Sequence, residues 1–144
     1  RMTLKQALKY ATRATSLAIS PCRVGPWLVT QYFILRTDEG TDEPPSYMLE
    51  KIEERIALYE KELTPRKGKP AAISPTVVSW PNCKVDVREI EGWTISGGRQ
   101  AGVAEPLASL LVDCTVRRIT VRDQPVVAAF RDGQLYAVIA PMRQ

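Results

Sequence analysis

The sequence predicts an α+β fold: a single compact domain with a mostly antiparallel sheet, two main helices and one short helix. Helical spacing of apolar residues is strongest in the first half of the chain, β-type patterns fill the second half, and hairpin signals join neighbouring strands there. The 144 residues are enough for one domain. We expect it to span 1–144, with an α-β-α part over 1–63, a basic turn over 64–70 and a strand-rich part over 71–144.

The first helix is predicted over residues 4–19. Thr3 and Gln6 have the spacing of a capping box, in which two side chains satisfy backbone N–H groups at the start of a helix. Apolar residues recur at helical spacing up to Ser20, where the following Pro21 disfavours further helix. A strand rich in aromatic and β-branched residues is predicted over 27–35.

A second helix is predicted over residues 46–63, after an acidic loop over 37–45. Its apolar residues follow a 3-4-3-4 spacing, which is typical of a helix that buries one stripe. We expect this stripe to pack on the sheet, and a homodimer seam is the alternative, although two heptads are short for a coiled coil. The stripe consists of Leu49, Ile52, Ile56, Tyr59 and Leu63.

The remainder of the chain reads as strands and turns. The basic turn over 64–70 contains two prolines and one glycine, so we expect no regular structure there. A glycine-rich loop over 96–102 precedes a short helix near Pro106, and Asp132-Gly133 is a strong hairpin signal. The predicted strands cover 76–80, 84–88, 93–95 (after a tight turn at Glu91-Gly92), 114–121, 126–130 (after a turn at 123–125) and 134–140.

Several functional classes are excluded by composition. The sequence has no histidine, which excludes Ser-His-Asp and Cys-His catalysis and zinc sites that use His. Cys22, Cys83 and Cys114 form no C-x-x-C motif, and an odd, sparse cysteine count is typical of a reducing compartment. We therefore predict no catalytic residues, no metal and no cofactor.

The location follows from similar absences. No apolar run reaches the ~18 residues of a membrane span. Charged residues interrupt the first 20 positions, unlike the apolar region of a signal peptide. We expect a cytoplasmic protein without a membrane partner.

Charge is strongly segregated along the sequence. Residues 1–36 carry six basic and no acidic side chains, residues 37–63 carry three basic and nine acidic ones, and residues 64–144 carry eleven basic and seven acidic ones. Such blocks indicate interaction surfaces more directly than the net charge of +4 does. The sequence alone leaves open whether the acidic second helix neutralises the basic first helix within the fold.

Three basic clusters are the predicted partner-binding residues. The first lies on one face of the first helix, at i, i+4 and i+8, and the second lies in the basic turn. The third lies on the strand over 114–121 and just after it, where Arg117 and Arg118 are expected to point to opposite faces. The nine residues are Lys5, Lys9, Arg13, Arg66, Lys67, Lys69, Arg117, Arg118 and Arg122.

A weaker candidate is an anion site in the glycine-rich loop. Backbone N–H groups of such a loop, with a helix N-terminus behind them, can hold a phosphate. Neither the P-loop nor the dinucleotide-binding pattern fits the sequence, so a plain connecting loop is the favoured interpretation. The candidate residues are Gly97, Gly98, Arg99 and Gly102.

These observations favour a non-enzymatic accessory or regulatory protein that docks on an acidic surface of a larger macromolecular partner. A protein partner is favoured over nucleic acid because no nucleic-acid-binding motif accompanies the basic clusters. The alternatives are sequence-nonspecific nucleic-acid binding, a small-ligand or phosphate-binding protein or enzyme that uses the glycine-rich loop, and a structural homodimer. The oligomeric state, monomer or homodimer, stays open.

Overall fold

The computed structural model describes residues 4–12, 20–39 and 42–143. Its helices are α1 (Leu4–Thr12), α2 (Ser46–Glu62) and α3 (Glu105–Ala108). Three strands precede α2, namely β1 (Cys22–Val24), β2 (Trp27–Val29) and β3 (Phe33–Arg36). The strands that follow it are β4 (Lys69–Pro70), β5 (Ile73–Val78), β6 (Val87–Ile95), β7 (Arg99–Ala104), β8 (Thr115–Val121), β9 (Gln124–Arg131), β10 (Gln134–Ile139) and β11 (Met142–Arg143).

These strands form two antiparallel sheets, which confirms the predicted α+β class. The larger sheet, sheet A, has the strand order β1-β2-β3-β10-β9-β8-β4, and the smaller one, sheet B, has the order β11-β7-β6-β5. Short hairpins connect β8 to β9 and β9 to β10, so that neighbours in sequence are neighbours in the sheet.

Both faces of sheet A are covered. Successive side chains of a strand point to opposite faces, and in the central strands of this sheet apolar residues point to both faces. In β9, Val126, Ala128 and Phe130 face α2, whereas Val127 and Ala129 face sheet B, α1 and α3. Helix α2 packs on one face of sheet A through Ile52 and Ile56. Leu63, the residue that caps the end of α2, belongs to the same core, so these three are the buried members of the predicted stripe. The opposite face is covered by sheet B together with α1 and α3.

Sheet A therefore separates the acidic second helix from the basic first helix. The buried residues Ala7 and Ala11 of α1 belong to the core on the sheet B side, whereas those of α2 belong to the other core. The acidic helix does not cover the basic face of α1. Of the predicted first helix, residues 4–12 are confirmed as helix, and Thr3, Arg13 and residues 14–19 lie outside the described residues.

The prediction of one strand over 27–35 is wrong, because a turn at Thr30–Tyr32 divides it into β2 and β3. The Thr30 hydroxyl accepts hydrogen bonds from the backbone N–H groups of Tyr32 at 3.2 Å and Phe33 at 3.1 Å. A threonine that satisfies backbone donors in this way stabilises a turn in place of an extended strand.

The predicted break at Glu91-Gly92 is also wrong, because β6 continues through it as one strand. Gly92 has a φ of 68° and lies where the pairing of β6 with β7 shifts register, so the glycine allows an irregularity inside a strand.

The predicted turn at 123–125 begins one residue earlier. Arg122 (φ 48°) and Asp123 (φ 64°) both lie in the left-handed region, as a two-residue hairpin turn requires.

The basic turn is irregular as predicted except at its end, where Lys69 and Pro70 form β4 and pair with Arg118 and Arg117 of β8. A proline is tolerated there because β4 is the outermost strand of sheet A.

Candidate functional site

The two sides of helix α2 differ in charge, although Glu62 lies on the same side as the basic residues Lys51 and Arg55. With 3.6 residues per turn, Lys51 and Arg55 lie on one flank of the buried stripe, whereas Glu53 and Glu60 lie on the other. The indole Nε1 of Trp27 donates a hydrogen bond to Glu60 Oε1 at 3.2 Å, so the acidic flank faces the β1–β2 side of sheet A. The basic flank therefore faces the β8–β9 side.

A cleft of about 720 Å³ lies between this basic flank and the β8–β9 turn. Four basic side chains and one carboxylate, Glu54, line it. The basic ones are Lys51, Arg55 and Lys61, which are all the basic residues of α2, and Arg122 at the hairpin turn. Ala57, Leu58, Tyr59, Val121 and Gln124 complete the lining. We call this cavity the basic cleft.

The floor of the basic cleft is partly apolar. Val121 is a buried residue of β8, and Leu58 and Tyr59 are half-buried residues of α2 that pack against the same core. Apolar floors surrounded by charged rims are typical of protein–protein interfaces, whose centres are depleted of charge.

The basic side chains that line the cleft form no close ion pair among the described residues. Among the residues that the structure describes, Lys51, Lys61 and Arg122 have no ionic partner. The Nη1 of Arg55 donates to the hydroxyl of Tyr59 at 3.3 Å, a neutral acceptor that leaves the guanidinium charge unbalanced. These cations could therefore bind an acidic ligand without the loss of an internal ion pair.

The basic turn is held next to this cleft by Arg117. Its Nε donates to the carbonyl of Lys67 at 2.6 Å, and its Nη2 donates to the carbonyl of Gly68 at 2.8 Å. Gly68 has a φ of 71°, and a Cβ atom there would lie 2.2 Å from the carbonyl oxygen of Arg118. The turn consequently has one tightly specified backbone conformation.

Glu62 links the basic turn to the basic cleft. Lys67 forms an ion pair and hydrogen bond with its carboxylate, and this contact holds the pKa of Glu62 below its usual value. The charges of Lys61 and Arg122 lower the same pKa further, so both act on this carboxylate. The second and third predicted basic clusters are thus partly brought together, at the end of α2.

The other predicted basic residues lie elsewhere. The Arg118 guanidinium donates to the carbonyl of Gly92 in sheet B at 2.6 Å, so Arg117 and Arg118 point to opposite faces of sheet A as expected. Lys69 pairs with Arg118 across the sheet and shares its face. Lys5 and Lys9 are exposed on α1, on the sheet B side, and have no ionic partner within the described part of the chain.

The glycine candidates do not form one loop, and that prediction is corrected. Gly97 and Gly98 occupy a 3₁₀ turn over Ser96–Gly98, and β7 begins at Arg99. Gly102 is buried inside β7, where a Cβ atom would lie 2.6 Å from the ring of Trp80. Strand β7 separates the turn from the four-residue helix α3, so the loop has no helix N-terminus behind it.

Most of the dimer-seam candidates pack against sheet A of the same chain. Ile52, Ile56 and Leu63 are buried against sheet A, Tyr59 is half-buried and lines the basic cleft, and Leu49 is 38% exposed. The packing on sheet A that the spacing favoured accounts for the stripe without a second copy.

The three tryptophans lie in different environments. Trp27 and Trp80 are buried, and Trp93 is half-buried against the core on the sheet B side. They do not form one stacking surface, because Trp27 belongs to the α2 side of sheet A whereas Trp80 packs on Gly102 in sheet B.

The phenol of Tyr10 packs against the core on the sheet B side. Burial, followed by the nearby Tyr32 and Cys83, raises the pKa of Tyr10 to about 12, and its hydroxyl donates to the sulfur of Met142 at 3.8 Å.

Across residues 4–12, 20–39 and 42–143, no group of three His, Cys, Asp or Glu side chains is placed to hold a metal ion. No helix within these residues is long and apolar enough to cross a membrane.

The sequence interpretation missed Lys51, Arg55 and Lys61, because they lie in the most acidic segment and its net charge concealed them. A helical wheel of α2 would have placed Lys51 and Arg55 on the flank opposite Glu53 and Glu60, whereas the place of Lys61 in the cleft depends on the fold. No family model, no curated protein and no solved structure matches this chain, so similarity to known proteins assigns no function to it.

Proposed function

We propose that this protein is a non-enzymatic binding protein that docks on an acidic segment of a larger macromolecular partner through the basic cleft. The observation that carries the proposal is the convergence around an apolar floor of four cations, from α2 and the β8–β9 turn, that form no close ion pair among the described residues. The basic turn, which Arg117 holds in place, lies beside this surface, with Arg66 exposed and Lys67 ion-paired with Glu62. Lys5, Lys9, Lys69 and Arg118 lie on the other side of sheet A and are left out of this surface.

A protein partner fits the cleft better than nucleic acid does. Phosphate-driven binding uses an array of cations along a backbone and does not need an apolar floor, whereas Leu58, Tyr59 and Val121 offer one. A cytoplasmic location is part of the proposal, and the free thiols of Cys22, Cys83 and Cys114 support it because such thiols are typical of a reducing compartment.

The test measures fluorescence anisotropy with a labelled peptide of alternating glutamate and glycine, and with labelled single- and double-stranded DNA and RNA, at ~50 and ~200 mM salt. The variant Lys61→Glu/Arg122→Glu reverses two charges of the basic cleft. Lys5→Glu/Lys9→Glu is its matched control, because it makes the same charge change on the opposite side of sheet A.

We expect the peptide to bind the wild type, and Lys61→Glu/Arg122→Glu to weaken binding about tenfold or more, equivalent to ~1.4 kcal/mol. The control should bind within about twofold of the wild type, apart from the general effect of net charge. Equal losses in both variants would contradict the proposal. Binding of nucleic acid with a steep salt dependence, without binding of the peptide, would replace it with the nucleic-acid alternative.

A further inference from the structure

A second cavity of about 390 Å³ lies on the α2 side of sheet A, between α2 and the β2–β3 turn. Its floor consists of side chains from β3, β9 and β10, and Ile52 of α2 forms a wall. The volume lies within the range of ligand-binding pockets, roughly 300–1,000 Å³. The lining residues are Val29, Thr30, Gln31, Tyr32, Phe33, Ile34, Ile52, Arg55, Tyr59, Val126, Val138 and Ala140. We call this cavity the apolar groove.

The polar groups of the β2–β3 turn are mostly engaged within the fold. The Thr30 hydroxyl closes the turn, as described above, and the side-chain Nε2 of Gln31 donates to the carbonyl of Ala11 at 2.6 Å. The ring of Tyr32 lies against that of Tyr10, with 5.3 Å between their centroids. The floor residues Ile34, Val126 and Val138 offer only hydrocarbon. The groove is thus suited to an apolar group.

The apolar groove and the basic cleft meet at Arg55 and Tyr59, which line both cavities. Arg55 lies on the basic flank of α2, and the only hydrogen bond of its guanidinium among the described residues goes to the neutral Tyr59 hydroxyl. A chain that lies in the basic cleft can therefore place a carboxylate on Arg55 and the next large side chain in the groove.

We propose that the recognised segment is acidic and carries one large apolar side chain beside a carboxylate, and that this side chain binds in the apolar groove. The inference rests on the proposed function, because the basic cleft supplies the contacts that hold the acidic residues. An apolar anchor inside a pocket, surrounded by charged contacts, is the arrangement that supplies most of the affinity in many interfaces. The cations then select for acidic character, and the groove selects among acidic segments.

The test compares two fluorescein-labelled peptides with the full chain. Both contain alternating glutamate and glycine, and the central glycine of the second is replaced by phenylalanine. Ala140→Trp is the groove variant, because Ala140 is an exposed residue at the groove's rim and a large ring there fills the cavity without removing a core side chain. Ala72→Trp, an exposed position between β4 and β5, is the matched control.

We expect the phenylalanine peptide to bind the wild type and Ala72→Trp about tenfold more tightly than the glycine peptide. Ala140→Trp should bind both peptides equally, at the affinity of the glycine peptide for the wild type. Isoleucine methyl NMR gives a second readout: the signals of Ile34 and Ile52 should shift with the phenylalanine peptide only, and those of Ile73 and Ile90 on the sheet B side should not shift.

Equal affinity of the two peptides for the wild type, or an anchor advantage that survives Ala140→Trp, would overturn this inference and leave the proposed function standing. Absence of binding by both peptides would contradict the proposed function and the inference with it.

Discussion

The two faces of sheet A are covered in different ways. Sheet B, α1 and α3 together cover one face, and its core includes many fully buried side chains, among them Ile90, Val103 and Val127. The single helix α2 covers the other face, and both described cavities open beside it. A seven-stranded sheet is wider than one helix, so α2 leaves concave surface beside it. The candidate site therefore follows from incomplete coverage of the sheet beside α2, which no sequence motif marks.

The largest effect on the free energy of unfolding is expected from a substitution at the edge of sheet A, next to the basic cleft. Gly68→Ala should lower the free energy of unfolding by about 3 kcal/mol, because a Cβ atom at φ 71° would lie 2.2 Å from a backbone oxygen. Gly97→Ala is the matched control. It also has a positive φ, 82°, but nothing lies within 4 Å, so about 1 kcal/mol is expected. Urea denaturation measures both, and equal losses would refute the steric explanation.

A smaller effect tests the difference in coverage directly. Val126 and Val127 are adjacent in β9, but Val126 lines the apolar groove and Val127 is fully buried on the sheet B side. Val127→Ala should cost about 2 kcal/mol of unfolding free energy and Val126→Ala about 1 kcal/mol, because a side chain that already borders a cavity has fewer neighbours to lose. Chemical denaturation of the two variants measures both losses. Equal losses would show that the two faces are equally well packed at these positions, and the reverse order would contradict the difference in coverage.

The smallest expected effect concerns pH on the fully covered face. Burial raises the pKa of Tyr10 to about 12, whereas the unfolded chain loses this proton near pH ~10. The unfolded state then binds fewer protons, so the stability that the neutral phenol contributes is intact below pH ~10 and is lost as the pH rises towards 12. The urea midpoints of wild type and Tyr10→Phe, measured from pH 8 to 11.5, should diverge only at the alkaline end. Parallel curves would contradict this role of Tyr10.

The sequence predicted the fold class well, because hairpin signals and helix periodicity are local. The Asp132-Gly133 hairpin and the second helix needed no tertiary information, and the structure has both. The division of 27–35 depended on which backbone groups the Thr30 hydroxyl satisfies, which periodicity does not reveal. The register irregularity at Gly92 depended on pairing with strands that are distant in sequence.

The candidate site was only partly accessible from sequence. Arg122 and Lys67 were identified as basic residues, but their meeting near Glu62 depends on how α2 crosses sheet A. Arg117 was expected to bind a partner, whereas its guanidinium hydrogen-bonds to carbonyls of the basic turn. Charge counts along the chain do not distinguish a cation that is free from one that supports the backbone.

The opposite charges on the two flanks of α2 give this helix a dipole across its axis, in addition to the one along it. A helix with its side chains is about 10–12 Å wide, and the Debye length at physiological salt is about 8 Å. An approaching acidic chain thus feels attraction from the flank of Lys51 and Arg55, and repulsion from the flank of Glu53 and Glu60. For the partner that we propose, the two forces together would exert a torque that turns the chain before contact, so this surface would set the orientation of an encounter as well as its strength.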